Sequence, residues 1–191
     1  MPATLRTPRP RWIQAAADAL SSGGPDAVRV EALAAALGVT KGSFYTHFAG
    51  RDELLTAVLD DWERRSVDDV RARVDARGGD AAERISRAGV RTFSDEILPL
   101  DLAVRDWARR DDDVRERLRR VDTARMEFLR TEFRTFISDP DEVEARAVLA
   151  FSFAIGRHFV AVADDASGAA AVARAGRLIV RQTGEAGQSG S

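Results

Sequence analysis

The chain contains no cysteine, two histidines and a single lysine, Lys41. The lack of cysteine excludes disulfide bonds, thiolate metal sites and cysteine-based redox sensing. No run of about 18 apolar residues occurs, and prolines and arginines occupy the N-terminus where a secretory signal would have an apolar core. We therefore expect a cytoplasmic protein that does not bind a membrane, a metal or a cofactor.

The usual constituents of an active site are also scarce. No glycine-rich phosphate loop follows a strand, and neither histidine has a second metal ligand at helical spacing. The abundant aspartates and glutamates have the pattern of solvated helix faces. We predict that the chain is not an enzyme.

The apolar residues recur at helical rather than strand spacing, which predicts an all-α fold. With 191 residues, 45% of them hydrophobic, the chain can bury about 70% of its unfolded surface. We expect an N-terminal segment of three helices at residues 1–50 and a connector helix over residues 51–79. A larger helical domain at 80–183 and a flexible tail at 184–191 complete the prediction.

The most informative segment lies between residues 30 and 48. Apolar residues at positions i, i+3, i+4 and i+7 predict a short helix over 30–37, and Gly38 ends that helix. Thr40 is expected to N-cap a second short helix, 41–47, whose Phe44 faces inward. This pattern of two helices around a tight turn is typical of a helix-turn-helix.

The outer face of the second helix carries groups suited to reading DNA. Hydroxyls, a cation, an imidazole and a phenol can contact base edges and phosphates in the major groove. Tyr45 could alternatively be a core aromatic, and His47 could be a surface histidine without a DNA contact. The outward residues are Lys41, Ser43, Tyr45, Thr46 and His47.

Charge is distributed unevenly along the chain. Residues 1–51 carry six basic and three acidic side chains, whereas the whole chain has 29 basic and 31 acidic ones. A net positive N-terminal segment therefore precedes a net negative remainder, as expected where only the first segment faces DNA. Residues 1–8 could be a frayed terminus or a basic arm that follows the minor groove.

The segment TKGSFYTHF, followed by RDELL, resembles the helix-turn-helix signature of the TetR family of transcriptional regulators. The preceding GGPDAVRVEALAAALGV resembles the segment leading into it, and the resemblance covers about residues 10 to 60. It implies that Arg51 grips the DNA backbone. It also implies that residues 1–50 are a three-helix helix-turn-helix DNA-binding domain and that residues 80–183 are a larger helical ligand-binding and dimerisation domain. The protein would then be a ligand-responsive dimer that binds double-stranded operator DNA.

The candidate DNA contacts divide into two groups. Lys41 and Ser43 are assigned to base edges or adjacent phosphates, whereas Thr40, Tyr45, His47 and Arg51 are assigned chiefly to the DNA backbone. Gly42 would let the helix approach closely. Arg29 could contact a phosphate or be a plain surface arginine. The full set is Arg29, Thr40, Lys41, Gly42, Ser43, Tyr45, His47 and Arg51.

Bulky apolar residues of the larger domain could line a cavity for a small effector. Each of them could instead be an ordinary core residue. Arg105, Arg157 and His158 are polar groups in the same region that could orient a ligand. The candidate lining residues are Phe93, Leu102, Trp107, Met126, Leu129, Phe133, Phe151 and Phe159.

The last two predicted helices are rich in alanine and glycine, which permits close helix packing between two subunits. A dimer would place two recognition helices on an inverted-repeat operator. The family resemblance implies a repressor released by a small apolar or aromatic effector, whereas a helical protein-interaction module is the alternative. The candidate interface residues are Ala147, Ala154, His158, Ala161, Gly176 and Ile179.

Overall fold

A computed structural model describes residues 7–160 and 166–181, and no strand occurs in these ranges. Within them, no helix combines the length and apolar composition that a lipid bilayer requires of a spanning segment. A 3-10 turn, Pro25–Ala27, lies between the first two helices. The helices are α1 (Arg9–Gly23), α2 (Val30–Ala36), α3 (Lys41–Phe44), α4 (Arg51–Ser66), α5 (Asp68–Arg77), α6 (Ala81–Thr92), α7 (Leu98–Trp107), α8 (Asp112–Phe133), α9 (Pro140–Gly156) and α10 (Ala166–Val180).

The chain forms two compact units. The first unit comprises Met1–Asp69 and Asp95–Val121, and the second comprises Val70–Ser94 and Asp122–Ser191. Helix α7 and the first half of α8 thus belong to the same unit as the helix-turn-helix. The domain limits predicted from the sequence place these residues in the larger C-terminal domain instead.

The first unit is built around α1, which packs against α2, α4 and α7. Trp12 on α1 is completely buried and is absent from the sequence predictions, although Trp12, Ala16 and Leu20 share the i, i+4, i+8 spacing of one helix face. The Trp12 and Phe44 rings meet edge to face, with centroids 5.4 Å apart. This aromatic contact fixes α3 to α1.

The second unit has its own apolar core. Phe133 of α8 and Ala147 of α9 are completely buried in it, and α10 packs on α9 and α6. Arg84 ties α6 to α8, because its Nε donates to Glu132 Oε1 at 2.9 Å. Arg130 of α8 donates to Glu144 of α9 at 2.6 Å.

Three local predictions are wrong. The single connector helix predicted over residues 51–79 is two helices, broken at Val67, because Asp68 and Asp69 are acidic residues that favour a new helix N-terminus. Thr40 forms no side-chain cap. Helix α3 ends after Phe44, and residues 45–47 form a turn rather than a further helical turn. Asp139 caps α9, accepting from the Asp141 N–H at 2.9 Å.

Candidate nucleic-acid interface

The turn between α2 and α3 is closed by the backbone. Gly38 has φ +67°, a conformation that side chains with a Cβ disfavour. The N–H groups of Gly38 and Val39 donate to the carbonyls of Ala35 and Ala34 at 3.1 and 3.0 Å, which satisfies the end of α2. The turn therefore holds α3 at a fixed angle to α2.

The inner side of α3 is anchored by aromatic packing. Phe44 is completely buried, and Phe48 retains 2% of its exposure. Their rings stack with centroids 5.3 Å apart, and the Arg9 guanidinium lies 4.8 Å from the centroid of the Phe48 ring. Since these contacts fix the inner face, the outer face is presented to solvent in one orientation.

The outer face has the exposure that a DNA-reading surface needs. Lys41, Gly42 and Thr46 are exposed, and Ser43 is half-buried. The Tyr45 side chain is 55% exposed, so it is not a core aromatic, and its ring meets Phe44 edge to face. Hydroxyl, phenol and ammonium groups thus lie together on the side opposite Phe44.

Lys41 is paired within the domain. Its Nζ contacts Glu31 Oε1 of α2, and both side chains are largely exposed. The hydrogen bond to Glu31 raises the pKa of Lys41, and the same bond lowers the pKa of Glu31. The pair is open to solvent, so a phosphate can compete with Glu31 for the ammonium group.

Two further DNA candidates make backbone contacts inside the first unit. The Arg51 Nε and Nη2 donate to the carbonyls of Val28 and Pro25 at 2.8 and 2.5 Å. The His47 Nε2 lies 2.8 Å from the Thr7 carbonyl, so it carries the proton and donates. Arg51 thus holds the segment before α2, and His47 holds the segment before α1.

The remaining two candidates are exposed. Arg29 precedes α2, where its side chain lies at the surface, and Thr40 precedes α3 with its hydroxyl 3.8 Å from the point that a Cβ on Gly42 would occupy. The described surface therefore brings Arg29, Thr40 and Lys41 to the N-terminal ends of α2 and α3. The sequence interpretation does not include Glu31, the partner of Lys41, in this surface. Helical spacing does not link two residues ten positions apart, so their contact could not be predicted from the sequence pattern.

The eight candidate effector contacts are not gathered in one place. Leu102 and Trp107 lie in the first unit, and the other six lie in the second. Leu129 and Phe133 belong to the second core, Met126 and Phe151 pack against it, and Phe93 is buried outside it. The Phe159 side chain is 71% exposed.

The candidate interface residues also differ in exposure. Ala147 has no exposed surface in the protomer, Ala154 and His158 are half-buried, and Ile179 packs on the second core. A Cβ added to Gly176 would lie 3.8 Å from the Phe153 ring. Ala161 lies outside the described residues, as do the tail at 184–191 and most of the arm at 1–8.

The comparisons with known proteins agree with this geometry. The family model described as "Bacterial regulatory proteins, tetR family" matches residues 13–58. A TetR-family transcriptional regulator from Rhodococcus sp. is 25% identical, with 90% of this chain and 94% of that chain covered and a TM-score of 0.59. A transcriptional regulator from Rhodococcus sp. Rha1 is 22% identical, with 91% and 94% covered and a TM-score of 0.66. Residues 13–58 thus form a TetR-family domain, and the fold of the chain is similar to that of TetR-family regulators.

The TetR-family match includes all eight candidate DNA contacts, since they lie between residues 29 and 51. The fold is also similar to that of AibR, whose structure was determined in complex with isovaleryl coenzyme A and operator DNA. AibR is 15% identical, with 89% of this chain and 96% of that chain covered and a TM-score of 0.64. No curated protein matches this chain.

Proposed function

We propose that the chain is a ligand-responsive regulator that binds a specific operator through the outer face of α3. The observation that supports this most strongly is that α3 has one buried apolar side and one exposed polar side. Phe44 anchors one side in the core, while Lys41, Gly42 and Tyr45 are exposed on the other. A short helix held rigidly from behind, with polar groups in front, suits the major groove.

The contacts described above suggest a division of labour within this surface. We assign Lys41 and Ser43 to base edges or adjacent phosphates, and Arg29, Thr40 and Tyr45 to the DNA backbone. Arg51 and His47 are assigned to positioning, because their donors already bind backbone carbonyls of the protein. Gly42 would allow the backbone of α3 to come close to the DNA.

We infer that the regulator acts as a homodimer on an inverted repeat. Helices α9 and α10 carry large apolar side chains that a monomer leaves in water: Val148, Leu149 and Leu178 are 47%, 57% and 59% exposed. Burial of such a patch between two protomers is the usual reason for its presence. Two recognition helices related by a two-fold axis would then read two half-sites.

An effector would act by changing the spacing of the two recognition helices. A small molecule that binds better to the conformation unable to span the operator shifts the dimer toward that conformation. A coupling of about 1 to 3 kcal/mol changes operator affinity roughly 5- to 150-fold. We propose a repressor, released from DNA by a small molecule with an apolar or aromatic body, that acts in the cytoplasm and has no catalytic role.

The test is selection of bound sequences from random duplex DNA by the purified chain, with Tyr45→Ala as the matched variant. We expect the wild type to enrich an inverted repeat and the variant to lose that enrichment. Tyr45 is exposed, so the variant should keep its fold, and circular dichroism checks this. If the folded wild type enriches no sequence at moderate salt, the proposal is wrong and a protein-interaction module becomes the better explanation.

The dimer is tested separately by light scattering of the wild type and of Leu149→Glu. A charge in a buried apolar contact is costly, so we expect the variant to be a monomer while circular dichroism shows an unchanged helix content. Arg73→Glu, which alters an exposed residue of α5, is the control and should remain a dimer. A wild type that is monomeric at micromolar concentration would contradict the inference.

A further inference from the structure

Phe93 is buried in the second unit yet belongs to neither apolar core. Its side chain keeps 7% of its exposure. The ring is contacted by polar groups: the Arg125 guanidinium carbon is 6.0 Å from the ring centroid, and the His158 ring centroid is 5.7 Å away. A buried aromatic ring is therefore flanked by an arginine from α8 and a histidine that follows α9.

Arg125 is an unusual residue to bury. It is 8% exposed, and taking a guanidinium out of water is unfavourable unless anionic groups accompany it. Asp122, one turn earlier on α8, is 3.4 Å from Arg125 Nη1. Arg125 therefore brings a charged group into the interior beside Phe93.

A second guanidinium contacts the His158 ring. The Arg157 Nε donates to His158 Nε2 at 3.2 Å, which makes the imidazole nitrogen an acceptor and the imidazole neutral. Burial, followed by the positive charge of Arg157, lowers the pKa of His158. Among the described residues, no carboxylate forms an ion pair with Arg157. Its guanidinium instead donates to the neutral His158 imidazole.

The residue after Phe93 also carries an unsatisfied donor. The Oγ of Ser94 is buried without a hydrogen-bond partner. An unsatisfied buried hydroxyl is unfavourable, whereas it becomes useful if a ligand oxygen accepts its proton. Arg157 and His158 are half-buried, so their side chains are partly open to solvent.

We propose that Ser94, Arg125, Arg157 and His158 form a binding site for the carboxylate of a small organic acid, with its apolar body beside Phe93. Guanidinium groups bind carboxylates through paired hydrogen bonds. A serine hydroxyl can complete the shell, and the aromatic ring favours an organic acid over an inorganic anion. This inference rests on the proposed function, since the acid would be the effector.

The test uses the two histidines as built-in reporters. Proton NMR of the full chain, with His158→Gln to assign the two imidazole signals, follows the titration of His158 with octanoate, octan-1-ol, octylammonium and octyl phosphate added in turn. A bound carboxylate stabilises the imidazolium, so we expect octanoate to raise the pKa of His158. Octanoate should also bind at least tenfold more tightly than octanol and octylammonium.

Octyl phosphate distinguishes the two possible anions. We expect it to bind less tightly than octanoate, because a dianion requires more donors than this group provides. Tighter binding of octyl phosphate would replace the carboxylate by a phosphate monoester and contradict the proposal. Equal binding of octanoate and octanol, or a His158 pKa that saturating octanoate leaves unchanged, would overturn it, as would the absence of binding by octanoate at millimolar concentration.

Variants separate a ligand site from a purely structural cluster. Ser94→Ala removes a hydroxyl that has no partner in the protein, so we expect unchanged thermal stability and octanoate affinity reduced several-fold. Arg157→Gln should reduce the affinity tenfold or more, and Arg73→Gln, at an exposed position of α5, should not change it. Full octanoate affinity in both Ser94→Ala and Arg157→Gln would contradict the proposed site.

Failure of this inference can be told apart from failure of the proposed function. Octanoate binding is measured without DNA, and operator selection is measured without octanoate. Operator enrichment with no octanoate binding would reject only the carboxylate site. Octanoate binding with no operator enrichment would reject the regulator and leave a protein that binds organic acids.

Discussion

The indole Nε1 of Trp62 donates to Oδ1 of Asp101 at 3.2 Å in the interior of the first unit. Both side chains are buried, and Asp101 has no exposed surface. The other carboxylate oxygen accepts from Arg105 Nε at 2.9 Å. Because Trp62 lies on α4 and Asp101 on α7, this contact fixes the helix that follows the helix-turn-helix against α7.

We predict that Asp101→Ala lowers the free energy of unfolding by about 2 to 3 kcal/mol, since it leaves the indole N–H and the Arg105 guanidinium without their carboxylate. Urea denaturation followed by circular dichroism measures the change. The control is Arg110→Ala, which removes an exposed i, i+4 pair with Asp106 and should cost less than about 0.5 kcal/mol. Similar losses of unfolding free energy in both variants would mean that the buried Asp101 contacts stabilise the protein no more than an exposed ion pair does.

Two glycines of the helix-turn-helix should respond oppositely to alanine. Gly38 has φ +67°, so Gly38→Ala should cost about 1 kcal/mol of stability or more. Gly42 lies in α3, where an added Cβ would meet only Thr40 Oγ1, at 3.8 Å. Gly42→Ala should therefore keep the fold and raise the free energy of unfolding by about 0.4 to 1 kcal/mol.

The DNA affinity of Gly42→Ala tests whether α3 approaches the duplex closely at this position. If the glycine serves close approach to the duplex, the variant should bind the selected operator at least tenfold more weakly in a fluorescence anisotropy titration, despite its intact fold. Unchanged operator affinity would show that α3 does not approach the DNA at this position.

The helix-turn-helix could be predicted from the sequence because its signals are local. The positive φ of Gly38 and the inward position of Phe44 follow from spacing within a few residues. The break at Val67 could not be predicted, because the apolar stripe of α4 ends at Trp62 and the following charged residues fit a continuing helix equally well.

Contacts between distant residues could not be predicted either. The family resemblance assigns Arg51 to the DNA backbone, but its guanidinium reaches carbonyls 23 and 26 positions earlier. The placement of residues 95–121 with the helix-turn-helix depends on how α7 packs against α1. A helical period shows which face is apolar, and it does not identify the helix that covers that face.

Arg51 provides a test of positioning against phosphate binding. We predict that Arg51→Met lowers the free energy of unfolding by about 2 kcal/mol, because the carbonyls of Val28 and Pro25 lose a charged donor. The slope of log affinity against log salt for DNA should stay unchanged. Arg29→Met is the matched variant: it should keep its stability and reduce that slope by about 0.9 for one lost phosphate contact. A reduced slope in Arg51→Met would restore its assignment to a phosphate.

Lys41 and Glu31 should have opposite effects on DNA binding. Lys41→Met should weaken operator binding and reduce the salt slope by about 0.9 if the ammonium contacts one phosphate. Glu31→Gln removes the competing carboxylate, so we expect binding several-fold tighter at low salt, with the difference shrinking as salt screens the charges. In the double variant Glu31→Gln/Lys41→Met, the gain from Glu31→Gln should disappear. Tighter binding that persists in the double variant would mean that Glu31 repels DNA directly rather than through Lys41.

The stability of the second unit should depend on pH through His158. Burial and Arg157 lower the pKa of this imidazole, so the unfolded chain takes up a proton at a higher pH than the folded chain does. Between the lowered folded pKa and the ordinary value near 6.5, the unfolded state binds more protons, and stability therefore rises with pH and levels off above that value. His158→Gln should flatten this part of the profile of unfolding free energy against pH, whereas Arg73→Gln, at an exposed position of α5, should leave it in place. A wild-type profile that falls as pH rises toward 6.5 would show that the folded state instead favours the protonated ring, and would reverse the assigned direction of the shift.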